Sequence, residues 1–181
     1  KGEQVQISVP PTLLMTAIGR VRDVKLARSA DFKMVGDFIY MMGGNRIGLL
    51  ASEFYTLFAE VGLPLPIGST TLRCPEADWM EALRTYSWLG GAKEGDLSGM
   101  RSVHDVSDGG LLVAVSESLI ARNLGAQIIL PPRGDPWEAA FGEGFHTFVI
   151  SVAPDMATLF EEDWKRFNIP FRRLGVVTAS A

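Results

Sequence analysis

Seven residues, His104-Asp105-Val106-Ser107-Asp108-Gly109-Gly110, run straight into the apolar stretch Leu111–Ile120. An imidazole, two carboxylates, a hydroxyl and two glycines thus sit where a strand is expected to turn into a helix. Glycine lets a backbone turn sharply and approach a ligand closely. The first turn of the following helix would aim free N–H groups and a positive dipole end at that turn, which favours an anion. These parts suit a phosphate or a metal-bound nucleotide. They equally suit a polar loop in which Asp108 or Ser107 caps the helix. On either reading the chain must mix strands and helices.

A chain of 181 residues, 47% apolar and 21% charged, has enough material for one packed globular domain, expected over residues 1–181. The net charge of −4 offers no electrostatic footprint for nucleic acid. The single cysteine, Cys74, excludes an internal disulfide and a cysteine-based metal cluster. No apolar run reaches the length needed to span a bilayer. The start, Lys1-Gly2-Glu3-Gln4, has neither an initiating methionine nor a signal-peptide core. The expectation is a cytoplasmic fragment of a longer polypeptide, with no membrane partner.

Gln4–Val9 and Leu13–Val21 read as strands separated by Pro10-Pro11, and Phe38–Met42 as a short apolar strand between Gly36-Asp37 and Gly43-Gly44. Ser52 is placed to cap a helix through Val61, which Gly62 and Pro64 close. A second helix is expected from Pro75 to Leu89, with Trp79 and Tyr86 in the core and Trp88 covering an interface. Then come a strand at Arg101–Val106, a helix at Gly109–Asn123 and a strand at Ala126–Leu130. Arg133–Phe145 reads as irregular, His146–Val152 as a strand, Pro154–Phe167 as an amphipathic helix and Pro170–Val177 as a final strand. The class is α+β, a mixed β-sheet layered with helices.

Two segments carry a resemblance. Val9-Pro10-Pro11-Thr12-Leu13-Leu14-Met15-Thr16-Ala17-Ile18-Gly19 resembles the opening of the C-terminal subdomain of the phosphoribosylformylglycinamidine synthase family, and His104–Leu111 resembles that family's second signature. Between and after them, Gly36–Gly43 and Phe141-Gly142-Glu143 are similar to further family stretches in the right order. The resemblance implies the fold of the C-terminal domain of the aminoimidazole ribonucleotide synthetase superfamily, in the second of two copies. It implies a ligase of purine biosynthesis that converts formylglycinamide ribonucleotide to the formylglycinamidine with ATP, Mg2+ and glutamine-derived ammonia, through an iminophosphate. It further implies an N-terminal subdomain of the same polypeptide and a glutaminase domain or subunit as partners. The family's catalytic histidine, main magnesium ligands and Gly-Gly-Asn-Val-Ser nucleotide loop lie outside such a segment, so the fragment alone is expected to be inactive. It is also expected to expose an apolar face where its partner subdomain belongs, and so to self-associate. Two departures stand out. Leu49-Leu50-Ala51-Ser52-Glu53 replaces Leu-Gly-Gly-Ser-Glu, and Glu143-Gly144-Phe145 replaces Glu-Ser-Gln.

On this basis His104, Asp105, Ser107, Asp108, Gly109 and Gly110 are the nucleotide- or phosphate-binding candidates. Asp105 and Asp108 are the metal candidates, and Glu143 is a substrate-side candidate. The competing reading makes Asp108 a helix cap, Asp105 a partner of a nearby base and the whole unit a structural or auxiliary nucleotide-binding module. Another ATP-dependent enzyme of the same superfamily is a further alternative. Gly43-Gly44-Asn45-Arg46-Ile47-Gly48 lacks the ending of a P-loop and reads as a plain turn. His146 reads as a strand-end residue.

Overall fold

A computed structural model describes residues 13–21, 23–44, 46–67, 72–91, 99–132 and 135–180. Five strands, β1 (Phe38–Met42), β2 (Met100–Asp105), β3 (Leu124–Ile128), β4 (Phe148–Val152) and β5 (Phe171–Ala179), form one sheet in the order β2-β4-β1-β5-β3. Among the described residues five α-helices accompany them: α1 (Glu53–Glu60), α2 (Trp79–Gly91), α3 (Gly110–Ile120), α4 (Pro136–Phe141) and α5 (Ala157–Arg166).

The central strand explains the layering. β1 is apolar throughout, as a strand covered on both faces should be. Ile39 and Met41 pack with Leu111, Ala114 and Val115 of α3, while Tyr40 and Met42 pack with Trp88 of α2 and Phe160 and Trp164 of α5. Helices therefore cover both faces of the sheet, as the layered α+β expectation requires. The expected mixed sheet is corrected: all four pairings are antiparallel. The β2-α3-β3 and β4-α5-β5 units do exist, but each joins strands that are not neighbours. Other strands lie between each pair, so no parallel ladder forms. Both crossovers run the same way across the sheet from strands of opposite direction. A right-handed connection then delivers α3 and α5 to opposite faces.

Several boundaries differ from the sequence reading for local reasons. The second helix begins at Trp79 rather than Pro75, because Asp78 Oδ1 caps it by accepting from the amides of Met80 and Glu81. The backbone just before it serves the loop at 46–50: Leu50 N–H donates to Arg73 O and Glu76 N–H to Arg46 O. The helix also rolls opposite to expectation. Ala82, Thr85 and Trp88 face inward, and Trp88 lies 5.7 Å from the Trp164 ring, whereas Trp79 is 77% and Tyr86 54% exposed. A short helix, α4, occupies the stretch read as irregular. Asp135 Oδ1 accepts from Trp137 N–H and Pro136 stands in the first turn. Leu13–Val21 is not a strand; it finds no ladder, and Leu14 and Ile18 are almost fully exposed. Gln4–Val9 and Pro10-Pro11 lie outside the described residues.

Candidate functional site

The C-terminal ends of β1 and β2 and the N-terminal ends of β4 and β5 meet at one end of the sheet, since Met42 and Asp105 both pair with Phe148 and Met42 also pairs with Phe171. The turn at 104–110 rises from that end. Gly109 and Gly110 adopt left-handed conformations (φ +81° and +73°) that suit glycine. A Cβ on Gly110 would come within 2.6 Å of Phe141 carbonyl carbon. Both glycines are required by the turn itself, as the sequence suggested.

His104 is pinned at both ring nitrogens. Nδ1 lies 2.6 Å from Asp105 carbonyl oxygen and Nε2 lies 3.1 Å from Glu117 Oε2 on α3. Both partners are acceptors, so the ring ties β2 to α3 rather than pointing at open space. Asp105 carries a weaker contact, 3.7 Å from the same ring. Asp105, Ser107 and Asp108 are exposed. The competing reading, in which Asp108 or Ser107 caps the helix, is corrected: the N-cap of α3 is Gly109, and it makes no side-chain cap bond. Gly109 is left-handed there and has no side chain to offer the first amides of the helix.

Glu143 supplies the missing acceptor. Its Oε1 accepts from Gly109 N–H at 2.8 Å and from Glu53 N–H at 2.8 Å. Gly110 N–H is used as well, donating to Ser107 O at 3.1 Å. The positive end of α3 therefore faces a carboxylate of the same chain. Upstream of α1, Ser52 caps the helix through Oγ, which accepts from Tyr55 N–H at 3.2 Å. Ala51 keeps a left-handed φ of +63° where the resembled family carries glycine. Glycine adopts that conformation more easily than alanine does.

The Gly43–Gly48 loop is a packed turn. Gly44 N–H donates to the buried carboxylate of Glu81 at 2.6 Å, and Gly48 N–H to Glu143 O at 2.9 Å. A Cβ on Gly43 would lie 2.1 Å from His146 O. Arg46 meets Glu76 at 3.1 Å and Asp78 at 3.8 Å, and Asn45 lies outside the described residues. His146, at φ +54°, immediately precedes Thr147 and β4, with its ring beside those of Trp79 and Tyr86. An open cavity of about 310 Å3 lies at the same sheet end between Gly43, Pro131, Pro170 and Arg172, away from the 104–110 turn.

Among the described residues no three His, Cys, Asp or Glu side chains converge as a metal cage. Mg2+ is often held by one or two carboxylates plus phosphate oxygens and water, so Asp105 and Asp108 fit only the carboxylate share of such a site. No helix of the described residues is long and apolar enough to cross a membrane. The sequence reading missed Glu81 and Glu117 as partners, because both lie far in sequence from the groups they hold.

The family model described as AIR synthase related protein, C-terminal domain, matches residues 34–181. A phosphoribosylformylglycinamidine synthase subunit PurL from Synechococcus is 29% identical over 165 residues, spanning 89% of this chain and 20% of that protein. A subunit of the same name from Petrotoga mobilis is 29% identical over 97% of this chain and 23% of its own length. The chain thus spans about a fifth of the relatives it matches. Thermotoga maritima PurL complexed with FGAR superposes with a TM-score of 0.66 at 21% identity, over 86% of this chain and 26% of that one. A thiamine-monophosphate kinase from Stenotrophomonas maltophilia superposes with a TM-score of 0.53 at 20% identity. These two likenesses show a shared fold.

Proposed function

The chain belongs to the AIR synthase related protein C-terminal domain family, and on that premise we propose that it works as one domain of a phosphoribosylformylglycinamidine synthase. The observation that carries this reading is its match, along 89% and 97% of its length, to subunits of that name in two organisms. The parent would join ammonia to formylglycinamide ribonucleotide at the expense of ATP, with glutamine as the ammonia source. A glutaminase domain or subunit and an N-terminal subdomain would be its partners. One relative is described within a PurLQS assembly from Thermotoga maritima, in keeping with a multi-component enzyme.

Within that enzyme the chain contributes an edge of a cleft rather than a whole one. The exposed Asp105, Ser107 and Asp108 are its polar groups toward a nucleotide or its metal. Bound Mg2+ would screen phosphate charge, and this chain's share of its ligands would be Asp105 and Asp108. His104 holds the turn to α3, and Gly109 and Gly110 shape it, their amides being engaged within the chain. The fragment alone is expected to be inactive. The engagement of those amides favours a second reading, in which this copy is a structural or auxiliary nucleotide-binding module of the same enzyme. Membership of the broader superfamily leaves a different ATP-dependent enzyme as the remaining alternative.

The test is ammonium-dependent phosphate release by the full-length parent, given formylglycinamide ribonucleotide, ATP and Mg2+, beside this chain alone. Turnover by the parent and none by the chain supports the assignment; a folded parent that stays inert at high ammonium sinks it. Asp105→Asn and Asp108→Asn in the parent then separate the two roles. A loss of turnover with an unchanged melting temperature places the turn at the cleft, and unchanged turnover per folded molecule makes the domain a scaffold.

A further inference from the structure

Glu143 is tied at four points. Its main chain bridges Gly48 in both directions, N–H to O at 3.0 Å and O from N–H at 2.9 Å, while its carboxylate takes the amides of Glu53 and Gly109. Those two amides open α1 and α3, and they stand 90 and 34 residues away in the chain. Helix starts leave N–H groups without intrahelical partners, and an ionised acceptor there makes a stronger bond than a neutral one. The N-cap of α3, Gly109, offers no side-chain acceptor of its own.

The segment around Glu143 is also held from both sides. A Cβ on Gly110 would meet Phe141 carbonyl carbon at 2.6 Å, and a Cβ on Gly144 would meet Ile47 Cγ2 at 2.8 Å. The 141–144 backbone therefore fills the space between the 104–110 turn and the 46–50 loop. It cannot shift without moving one or both of them. Both lone-pair sites of Oε1 are taken by backbone donors, so that oxygen serves the two helix starts and not a substrate.

We infer that Glu143 is a positioning residue that clasps the starts of α1 and α3 and so fixes where the turn presents Asp105 and Asp108. Its kinetic consequence rests on the ligase reading, whereas the clasp does not. Amide exchange measured by NMR in the full chain tests the clasp directly. In Glu143→Ala the amides of Glu53 and Gly109 should accelerate together, by about tenfold or more, as expected when a charged acceptor is lost. Glu143→Gln keeps an oxygen acceptor at the same reach and should restore both. Should Glu143→Ala not fold, Glu143→Asp, one methylene shorter, should release at least one amide. Unchanged exchange at both sites in whichever of these two variants folds overturns the clasp, as does release of only one amide in Glu143→Ala.

In the parent enzyme, Glu143→Ala should lower kcat about tenfold with little change in KM, as misplacement of a supporting turn does. Glu143→Gln should recover most of that loss. If Glu143→Gln is as slow as Glu143→Ala while both amides stay protected, the carboxylate acts on substrate and the positioning role is wrong. An inert wild-type parent would refute the ligase reading and leave the amide experiment to decide the clasp.

Discussion

At the scale of single residues, two aspartates respond to pH in opposite ways. Asp37 is almost fully buried with Arg101 Nε at 2.9 Å, and burial pushes its carboxyl above the ordinary carboxylate range despite that guanidinium. A carboxyl raised in the folded state contributes stability that is complete below its unfolded pKa and drains away as pH climbs through the folded value. Urea unfolding should therefore show wild type weakening relative to Asp37→Asn as pH rises from about 4 toward neutrality. A constant difference would contradict this. Asp31 is the converse: hydrogen bonds from Lys33, Ser29 and Arg122 hold it well below the usual range, so its contribution exists at neutral pH and fades in acid. Neither behaviour was legible in the sequence. Arg101 lies 64 positions from Asp37 and Arg122 lies 91 from Asp31, and only the sheet and α3 bring them together. The same distance problem hid Glu143, whose residue type was noticed but whose donors could not be.

At the scale of elements, the legible parts are those whose signal is local. β1 was readable as an uninterrupted apolar run, and α1 from Ser52 and Gly62. The α3 turn was readable from its glycines, and the α5 face from Phe160 and Trp164. α2 was found but rolled wrongly, because Trp79, Tyr86 and Trp88 are all plausible core residues and only the packing partner, Trp164, selects the last. α4 was missed although Asp135-Pro136 is a helix-start signal, since six residues carry too little periodicity to outweigh neighbouring glycines. The structure also separates packing from chemistry within one element. Leu111 is 2% exposed and sits in the core cluster of α3. Its change to Ala should cost about 2–5 kcal/mol through the cavity left behind. Asp108→Asn, one turn away and exposed, should stay within about 0.5 kcal/mol of wild type. Thermal denaturation of the two variants checks this, and comparable losses would mean Asp108 has a structural duty that the geometry does not give it.

At the scale of the whole molecule, the described chain carries an apolar arm with nothing beneath it. Leu13, Leu14, Met15, Ile18, Val21 and Val24 are 66% to 95% exposed. Apolar surface gathered in this way marks an interaction site or a liability. The chain should accordingly self-associate, and sedimentation velocity should show mass rising with concentration. Replacing Leu14 and Ile18 by Ser should reduce that rise, whereas a strictly monomeric chain at high concentration would count against it.

The strand order has a consequence for how such a sheet comes into being. Each ladder in it includes β4 or β5, the two strands translated last. β1, at the middle, leaves the ribosome long before Phe148, and the outer strands β2 and β3 never touch one another. Until β4 and β5 emerge, the nascent chain holds three strands of this sheet with no neighbour to pair with. Folding of this sheet therefore waits on β4 and β5, and it is governed by distant contacts and correspondingly slow. The earlier strands must be kept from other partners until the last ones arrive.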